Sequence, residues 1–239
     1  MKLNPSITEK DFLSVLDILS VASGPYRVAL RSSGVDLMRT DNALKPGHYD
    51  IRPYSRKGTI FITDEPCITR ILSRTTTGRD DFFRARVRER DGKGFHAGHI
   101  FPLASEEYWV QNGFSRWITN RRGDHDTGIN SCQNGLLMLS NIHEKFDGFD
   151  FSINPDHGYK IICFDRDPFR IGGSILDPIC RDPNDGGAVR EELLRWHFRQ
   201  AVWTSHPGTD MMGEILGGPG AAKRMEAELF SRLNGVPFT

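Results

Sequence analysis

The sequence predicts an α+β fold, in which helices near the two ends of the chain flank a centre of short strands and loops. Two observations predict this class. Apolar residues recur at helical spacing in segments near both ends of the chain, and short β-rich runs separated by turn residues occupy much of the chain between them. The chain shows no internal repeat.

The first 79 residues are predicted to form one helix followed by a small β unit. Between Ile7 and Ala22, apolar residues recur at helical spacing behind Thr8, a residue type that caps helix N-termini well. From Tyr26 to Glu65 the pattern changes to short β-rich runs separated by turn residues; the runs are residues 28–30, 49–51 and 59–62.

The rest of the chain is predicted to hold a core over residues 80–165 and a C-terminal helical region over residues 166–239 that packs on it. The core alternates short apolar runs with loops and carries nearly all of the chemically suggestive residues. The segments with a helical pattern are residues 68–72, 80–90, 189–202 and 221–233, and a glycine-rich break over residues 213–220 precedes the last of them.

The composition excludes several protein classes. With 239 residues, 38% of them hydrophobic and 26% charged, the chain can bury a substantial core and fits neither a disordered nor a membrane class. It contains no run of about 18 apolar residues that would predict a transmembrane helix. Charged residues follow Met1 too soon for the apolar part of a secretory signal, so we expect an intracellular protein, cytoplasmic or nuclear.

The charges and cysteines narrow the chemistry further. The 31 Lys and Arg residues balance the 31 Asp and Glu residues, so any nucleic-acid site must be a local patch. The cysteines form no Cys-x-x-Cys pair, which gives no sign of a zinc knuckle or redox motif and favours isolated buried thiols. They are Cys67, Cys132, Cys163 and Cys180.

Three short motifs point to phosphodiester chemistry: His99-Ile-Phe-Pro, Asn134-Gly-Leu-Leu and His143-Glu-Lys-Phe-Asp147. The apolar run over residues 136–139 suits a buried strand, and Ser140 and Gly148 suit the two ends of a helix of about two turns. His143 and Asp147 are four apart on that helix, so they share one face and could hold half of a site for Mg²⁺, Mn²⁺ or Zn²⁺.

Each of the other two motifs supplies a group that metal-assisted hydrolysis needs. His99 is suited to take a proton from the attacking water while the cation stabilises the charged phosphorane and the leaving oxygen. The side-chain amide of Asn134 is suited to hold a loop or to orient the histidine through hydrogen bonds. Alone, His99 reads as a core histidine and Asn134-Gly135 as a turn; together with His143 they favour a catalytic site.

The order and spacing of these motifs resemble the HNH endonuclease family, in the variant that reads His-Ile-x-Pro, Asn-Gly-x-x-Leu and His-x-x-Phe-Asp. The resemblance covers about residues 84–153. It implies a ββα-metal core that binds one divalent ion, Mg²⁺ or Mn²⁺ with Zn²⁺ as the alternative. It also implies that His99 is the general base, Asn134 a structural residue of the catalytic motif and His143 a metal ligand, with Asp147 where some relatives place a further ligand.

The sequence departs from the family pattern just before His99. Many HNH proteins carry a metal-binding Asp or His where Gly98 stands, and the first strand is short, since relatives of this variant usually have a Cys-x-x-Thr-Gly strand. His96 is the nearest replacement ligand, although three residues along a strand put it on the opposite face from His99 unless a bulge intervenes.

These departures keep other functions open. A second hypothesis is a catalytically silent HNH scaffold that binds nucleic acid or protein, against which the retention of His99 and His143 argues. A third is a metal-dependent hydrolase of another phosphoester, because the same chemistry serves many esters.

The expected partner is nucleic acid, DNA rather than RNA, without a membrane. Two groups of basic residues are candidates for contacting its phosphates. For the first group, the alternative is a solvated helix face with local acidic partners. For the second group, nearby aspartates partly cancel the positive charge. The groups are Arg84, Arg86 and Arg88, and Arg121 and Arg122.

Overall fold

The computed structural model describes residues 7–63, 81–92, 96–123 and 125–205. Within these ranges, helices mixed with small sheets confirm the α+β class. The predicted helices over residues 68–72 and 221–233 and the glycine-rich break lie outside the described ranges. The helices are α1 (Glu9–Leu19), α2 (Asp81–Asp91), α3 (Glu106–Gln111), α4 (Ser140–Asp147) and α5 (Glu191–Thr204). The strands are β1 (Ser20–Ala22), β2 (Tyr26–Leu30), β3 (Val35–Asp36), β4 (Tyr49–Pro53), β5 (Ile60–Ile62), β6 (His96–His99), β7 (Gly135–Met138), β8 (Phe151–Asn154) and β9 (Lys160–Cys163).

The chain divides into two compact units. The first contains Met1–Ile68, Ile162–Gly173 and Arg199–Thr239, and the second contains Thr69–Ile161 and Ser174–Phe198. The domain boundaries expected at residues 79 and 165 stay a prediction. In the part of the chain that the structure describes, no helix is long and apolar enough to cross a membrane.

The first unit is built around α1 and three antiparallel strands. Helix α1 begins behind Thr8 because the Thr8 hydroxyl accepts the backbone N–H of Asp11 at 3.3 Å and the Asp11 carboxylate accepts the backbone N–H of Thr8 at 2.9 Å. Strand β2 lies between β3 and β4, and β1 pairs with β5. The rings of Phe12 on α1 and Tyr49 on β4 pack at 5.2 Å in the core.

The second unit holds the β6–β7 hairpin, followed directly by α4. The two strands pair antiparallel from His96 opposite Met138 to His99 opposite Gly135, with no bulge in the register. Helix α4 ends where predicted, with Gly148 as its C-cap, and begins at Ser140 itself, with Leu139 in the N-cap position. The local pattern therefore predicted this helix to within one residue.

Helix α5 supports α4 from behind. The buried imidazole of His197 stacks on the Phe146 ring at a centroid distance of 3.7 Å, and its Nδ1 lies 2.7 Å from the Ser152 hydroxyl on β8. His197 Nε2 lies 3.2 Å from the backbone carbonyl of Phe146. Both ring nitrogens thus have buried partners, so His197 is a structural residue that fixes the last turn of α4.

Helix α2 packs closely on β7. A Cβ on Gly135 would lie 2.6 Å from the Phe83 ring and 2.8 Å from Val87, so only glycine allows this approach. Phe83, Val87 and Ala97 form a buried apolar cluster with Cys132. The contact fixes α2 against both strands of the hairpin.

Arg90 joins α2 to the backbone around β7. It shares its helix with three other arginines, yet it is only 7% exposed. Its guanidinium donates to the backbone carbonyls of Cys132 at 2.8 Å, Gly187 at 2.9 Å and Gly135 at 2.7 Å. The neighbouring Asp91 carboxylate accepts another of its N–H groups at 2.7 Å. A buried charge with this many partners holds three segments together.

The described cysteines are free and buried, as expected of structural thiols. Burial raises the pKa of Cys180 to about 12, and the nearby Asp91 carboxylate adds to the shift. The thiol therefore stays protonated and unreactive near neutral pH. Cys67 lies outside the described residues.

We expect Arg90→Met to lower the free energy of unfolding by about 3–5 kcal/mol, because it leaves the buried Asp91 carboxylate without its cationic partner. Urea denaturation measures the change. Arg84→Ala, which removes an arginine from the same helix whose ion pair with Asp81 is solvent-exposed, should alter stability by less than about 0.5 kcal/mol. Equal effects of the two substitutions would contradict the role assigned to Arg90.

Candidate active site

His99 lies at the end of β6, between an aromatic ring and an amide. Its imidazole stacks on the Phe83 ring of α2 with centroids 3.9 Å apart and planes 5° from parallel. Its Nε2 lies 3.1 Å from Oδ1 of Asn130. With Oδ1 as the acceptor, Nε2 carries the proton and Nδ1 carries the ring's lone pair. These contacts fix the orientation of the ring, and His99 is buried, with 7% of the residue exposed.

Asn134 is fully buried and joins the loops that flank the hairpin. Its Oδ1 accepts the backbone N–H of Phe101 at 2.8 Å. Its Nδ2 donates to the backbone carbonyls of Phe101 at 3.1 Å and Ile129 at 2.9 Å. The amide therefore satisfies both backbone groups of Phe101, two residues after His99, and ties them to the loop that carries Asn130.

His143 and Asp147 face each other across one turn of α4. Their Nε2 and Oδ2 atoms are 3.4 Å apart, and the side chains are 10% and 23% exposed. A Cβ on Gly98 would lie 2.4 Å from both Cδ2 and Nε2 of His143. The His143 ring therefore occupies the space that a side chain at position 98 would need.

Strand β6 separates the two predicted catalytic histidines. Because side chains alternate along a regular strand, Ala97 and His99 face α2, whereas His96 and Gly98 lie on the other face, toward His143. His96 is exposed. In the described residues no group of three His, Cys, Asp or Glu side chains is gathered as a metal site. The pair on α4 is the part of the predicted ligand set that the structure brings together.

A cavity of about 490 Å³ has Asn130, the residue that contacts His99, in its wall. Three of the five predicted phosphate-binding arginines line it, whereas Arg84 and Arg88 are not among its lining residues. The arginines in the wall are Arg86, Arg121 and Arg122. The cavity brings α2 together with a loop more than thirty residues later, a proximity that sequence spacing does not reveal.

Arginines inside and outside the cavity have acidic or aromatic neighbours. Arg84 pairs with Asp81, and Arg86 pairs with Glu89 at 2.6 Å. Both therefore have the local acidic partners expected of a solvated helix face. The guanidinium of Arg122 lies 3.6 Å above the centroid of the Phe82 ring. An exposed ion pair contributes at most about 1 kcal/mol, so Arg86 can exchange Glu89 for a phosphate at little cost.

The comparisons with known proteins address the same segment. Residues 68–154 match a family model described as HNH endonuclease. This segment belongs to the HNH family. Residues 1–57 match a second family model, described as a domain of unknown function (DUF8573). No curated protein and no solved structure matches the chain. The HNH match confirms the resemblance drawn from the three motifs.

The sequence did not reveal the residues that surround His99. Asn130 and Phe83 contact its ring, and Phe82 carries the stacked Arg122. Phe83 reads as an ordinary apolar residue of a helix, and Asn130 as a loop residue four positions before Asn134. Their proximity to His99 is decided by tertiary packing, so the sequence carries no local signal for it.

Asn134→Ala should destabilise the protein by about 2 kcal/mol or more, because it leaves buried backbone groups of Phe101 and Ile129 without partners. Chemical denaturation measures this loss, and hydrogen exchange at the Phe101 amide should become faster. Asn141→Ala, which changes an exposed asparagine on α4, is the matched control and should be neutral. Unchanged protection of the Phe101 amide would contradict the bridging role.

Gly98→Ala should displace the His143 ring, because the added methyl carbon cannot sit 2.4 Å from Cδ2 and Nε2. We expect shifted imidazole signals of His143 in NMR spectra and a stability loss of about 1–3 kcal/mol. Gly24→Ala, at a position with no atom within 4 Å of the added carbon, should leave both unchanged. Unshifted His143 signals in Gly98→Ala would show that the ring is not held against β6.

Proposed function

We propose that the protein is a metal-dependent endonuclease that hydrolyses phosphodiester bonds in nucleic acid, DNA rather than RNA. In this proposal β6, β7 and α4 form the ββα-metal core of the HNH segment. The observation that carries the nuclease proposal is the position of β6 between the two groups of predicted catalytic residues. This strand pairs only with β7 among the described strands, and it has His99 on one face and the His143–Asp147 pair beyond the other.

The edge of β6 supports a shared substrate position for both faces. Residues 98 and 99 are neighbours at the end of β6, and consecutive Cα atoms are about 3.8 Å apart. The His143 ring packs against Gly98, so it lies near the stretch of strand that carries the His99 side chain. A phosphodiester placed along this edge would have the His99 imidazole on one side and the α4 pair on the other. Hydrolysis needs this division between a proton acceptor and a charge-stabilising group.

His99 is assigned the role of general base. With Nε2–H directed at Asn130, Nδ1 is the nitrogen that takes the proton from the attacking water. The water oxygen then bonds to phosphorus as the bond to the leaving oxygen breaks, and that oxygen is protonated from solvent. Phe83 and Asn130 hold the ring in place, and Asn134 holds the loops, so these are positioning residues.

The α4 pair suits a divalent cation. Nε2 of His143 and Oδ2 of Asp147 lie 3.4 Å apart, close enough for both atoms to contact one divalent cation. A bound cation supplies positive charge to the phosphorane and the leaving oxygen. Mg²⁺ or Mn²⁺ is proposed, with Zn²⁺ as the alternative, because these hard cations keep several waters and need few protein ligands.

His96 stays the proposed third ligand. Strand alternation puts it on the same side as Gly98, the side on which His143 lies, so no bulge is needed for it to face that side of the strand. Its exposed position leaves it room to change rotamer.

The second candidate function is a silent HNH scaffold that binds nucleic acid. It is favoured by one observation: the residues that the structure describes include no cluster of three metal-binding side chains. The two proposals differ in whether the purified protein cuts a substrate that it binds.

The test is cleavage of supercoiled plasmid DNA by the full chain with Mg²⁺, Mn²⁺, Zn²⁺ or EDTA. We expect metal-dependent nicking, reduced about 10²- to 10⁴-fold by His99→Ala because the base is lost. His143→Ala should lose both activity and metal affinity, measured by calorimetry. His48→Ala, at an exposed histidine of the first unit, is the matched control and should cut like the wild type.

Several outcomes would overturn parts of this proposal. Binding without cleavage under every metal would favour the silent scaffold. Reduced metal affinity in His99→Ala would make His99 a ligand rather than the base, and unchanged affinity in His143→Ala would remove His143 from the ligand set. Faster cleavage of an RNA of matched sequence would overturn the assignment to DNA.

A further inference from the structure

We propose that the cavity beside His99 holds one unstacked nucleotide of an unpaired DNA strand, so that the substrate is single-stranded DNA rather than continuous duplex. This inference rests on the proposed nuclease function, whose substrate class it names. It depends on the volume of the cavity, on the stacked Arg122, and on the Asn130 amide that joins the cavity to His99, the proposed general base.

The volume of the cavity suits a single nucleotide. Its volume of about 490 Å³ lies within the range of about 300–1,000 Å³ that small-molecule sites occupy. A base inside a duplex is stacked on both sides and paired on its edge, so it cannot enter such a cavity without being extruded. Extrusion costs a few kcal/mol, least for a strand that is already unpaired.

Arg122 offers a flat surface inside the cavity. Its guanidinium lies 3.6 Å from the centroid of the Phe82 ring, and its backbone N–H donates to the Asp126 carboxylate at 2.9 Å. The backbone and the side chain are therefore both held. Unstacked bases bind to proteins by stacking on aromatic rings and on arginine guanidinium planes. Neutralising a backbone phosphate would need the charge alone and no stacked, oriented plane.

The charges in the cavity wall suit a nucleotide's phosphate. Among the described residues that line the cavity, three are arginines and one is a carboxylate, Asp126; Arg86 also pairs with Glu89 outside this lining. Burial raises the pKa of Asp126, but the backbone N–H groups of Arg122 and Gly128, with the charges of Arg122 and Arg121, hold it below its ordinary value. Asp126 is therefore ionised, and the wall remains net positive.

Asn130 places the cavity next to the reaction. It lines the cavity, and its Oδ1 lies 3.1 Å from Nε2 of His99. A nucleotide in the cavity would thus neighbour the phosphodiester at His99. The cavity would then select an unpaired strand at the point of cleavage.

The test is fluorescence anisotropy of a short labelled DNA strand and of its duplex with the complementary strand, in EDTA so that neither is cut. We expect the full chain to bind the single strand more tightly than the duplex. Arg122→Ala should weaken single-strand binding about 10-fold, the effect of losing one stacking surface, and should change duplex binding little. Arg122→Lys, which keeps the charge without the plane, should lose nearly as much.

Arg116→Ala is the matched control. Arg116 also lies over an aromatic ring, with its guanidinium carbon 5.2 Å from the Trp117 centroid, but it does not line the cavity. Its loss should leave single-strand binding unchanged. Thermal unfolding of each variant shows whether it is folded, and Arg122→Lys tests the proposal should Arg122→Ala fail to fold.

Four outcomes would overturn the proposal: tighter or equal binding of duplex, full binding by Arg122→Lys, no binding of either DNA, or displacement of the strand by free deoxynucleoside monophosphate at equal concentration. Displacement by the free monophosphate would make the cavity a site for small nucleotides. Because binding is measured without metal, a chain that binds the labelled single strand through Arg122 but does not cut it when Mg²⁺, Mn²⁺ or Zn²⁺ is added would reject the nuclease proposal and leave the strand preference standing.

Discussion

The buried carboxamide of Asn134 is the constraint on which the site depends. It closes hydrogen bonds with the backbone of Phe101 and Ile129, so the loop after β6 and the loop before β7 cannot move independently. His99 ends the strand that leads into the first of these loops, and its hydrogen-bond partner Asn130 lies in the second loop. A residue that performs no chemistry thereby fixes the geometry of the residue proposed to do so, and Arg90 extends the same support to α2.

Gly98 gives a physical reason for the main departure from the family pattern. A glycine there supplies no metal ligand, and the sequence suggests a lost function. The structure shows that the His143 ring fills the space a side chain would take. Helix α4 can approach β6 this closely only if position 98 carries no side chain, because a packed interior leaves no room for an extra carbon. The missing side chain is therefore a condition of this packing.

The balanced charge of the chain agrees with a small, local binding surface. A protein with equal numbers of basic and acidic residues exerts little long-range attraction on a polyanion, so recognition must come from short-range contacts. The arginine-lined cavity concentrates such contacts beside His99. In the proposed single-strand site, stacking, which acts at short range, would carry specificity better than net charge could.

The sequence by itself determined the local features: the Thr8 capping box, the span of α4, the pairing of His143 with Asp147 on one helix face, and the order of the three HNH motifs. These follow from helical periodicity and capping, which act over a few residues. Only the tertiary structure decided that Arg90 is buried, that Asn130 and Phe83 hold His99, and that Arg86 shares a cavity with Arg122. Those contacts join segments distant in the chain, and their positions depend on how α2 and the loops pack around the hairpin.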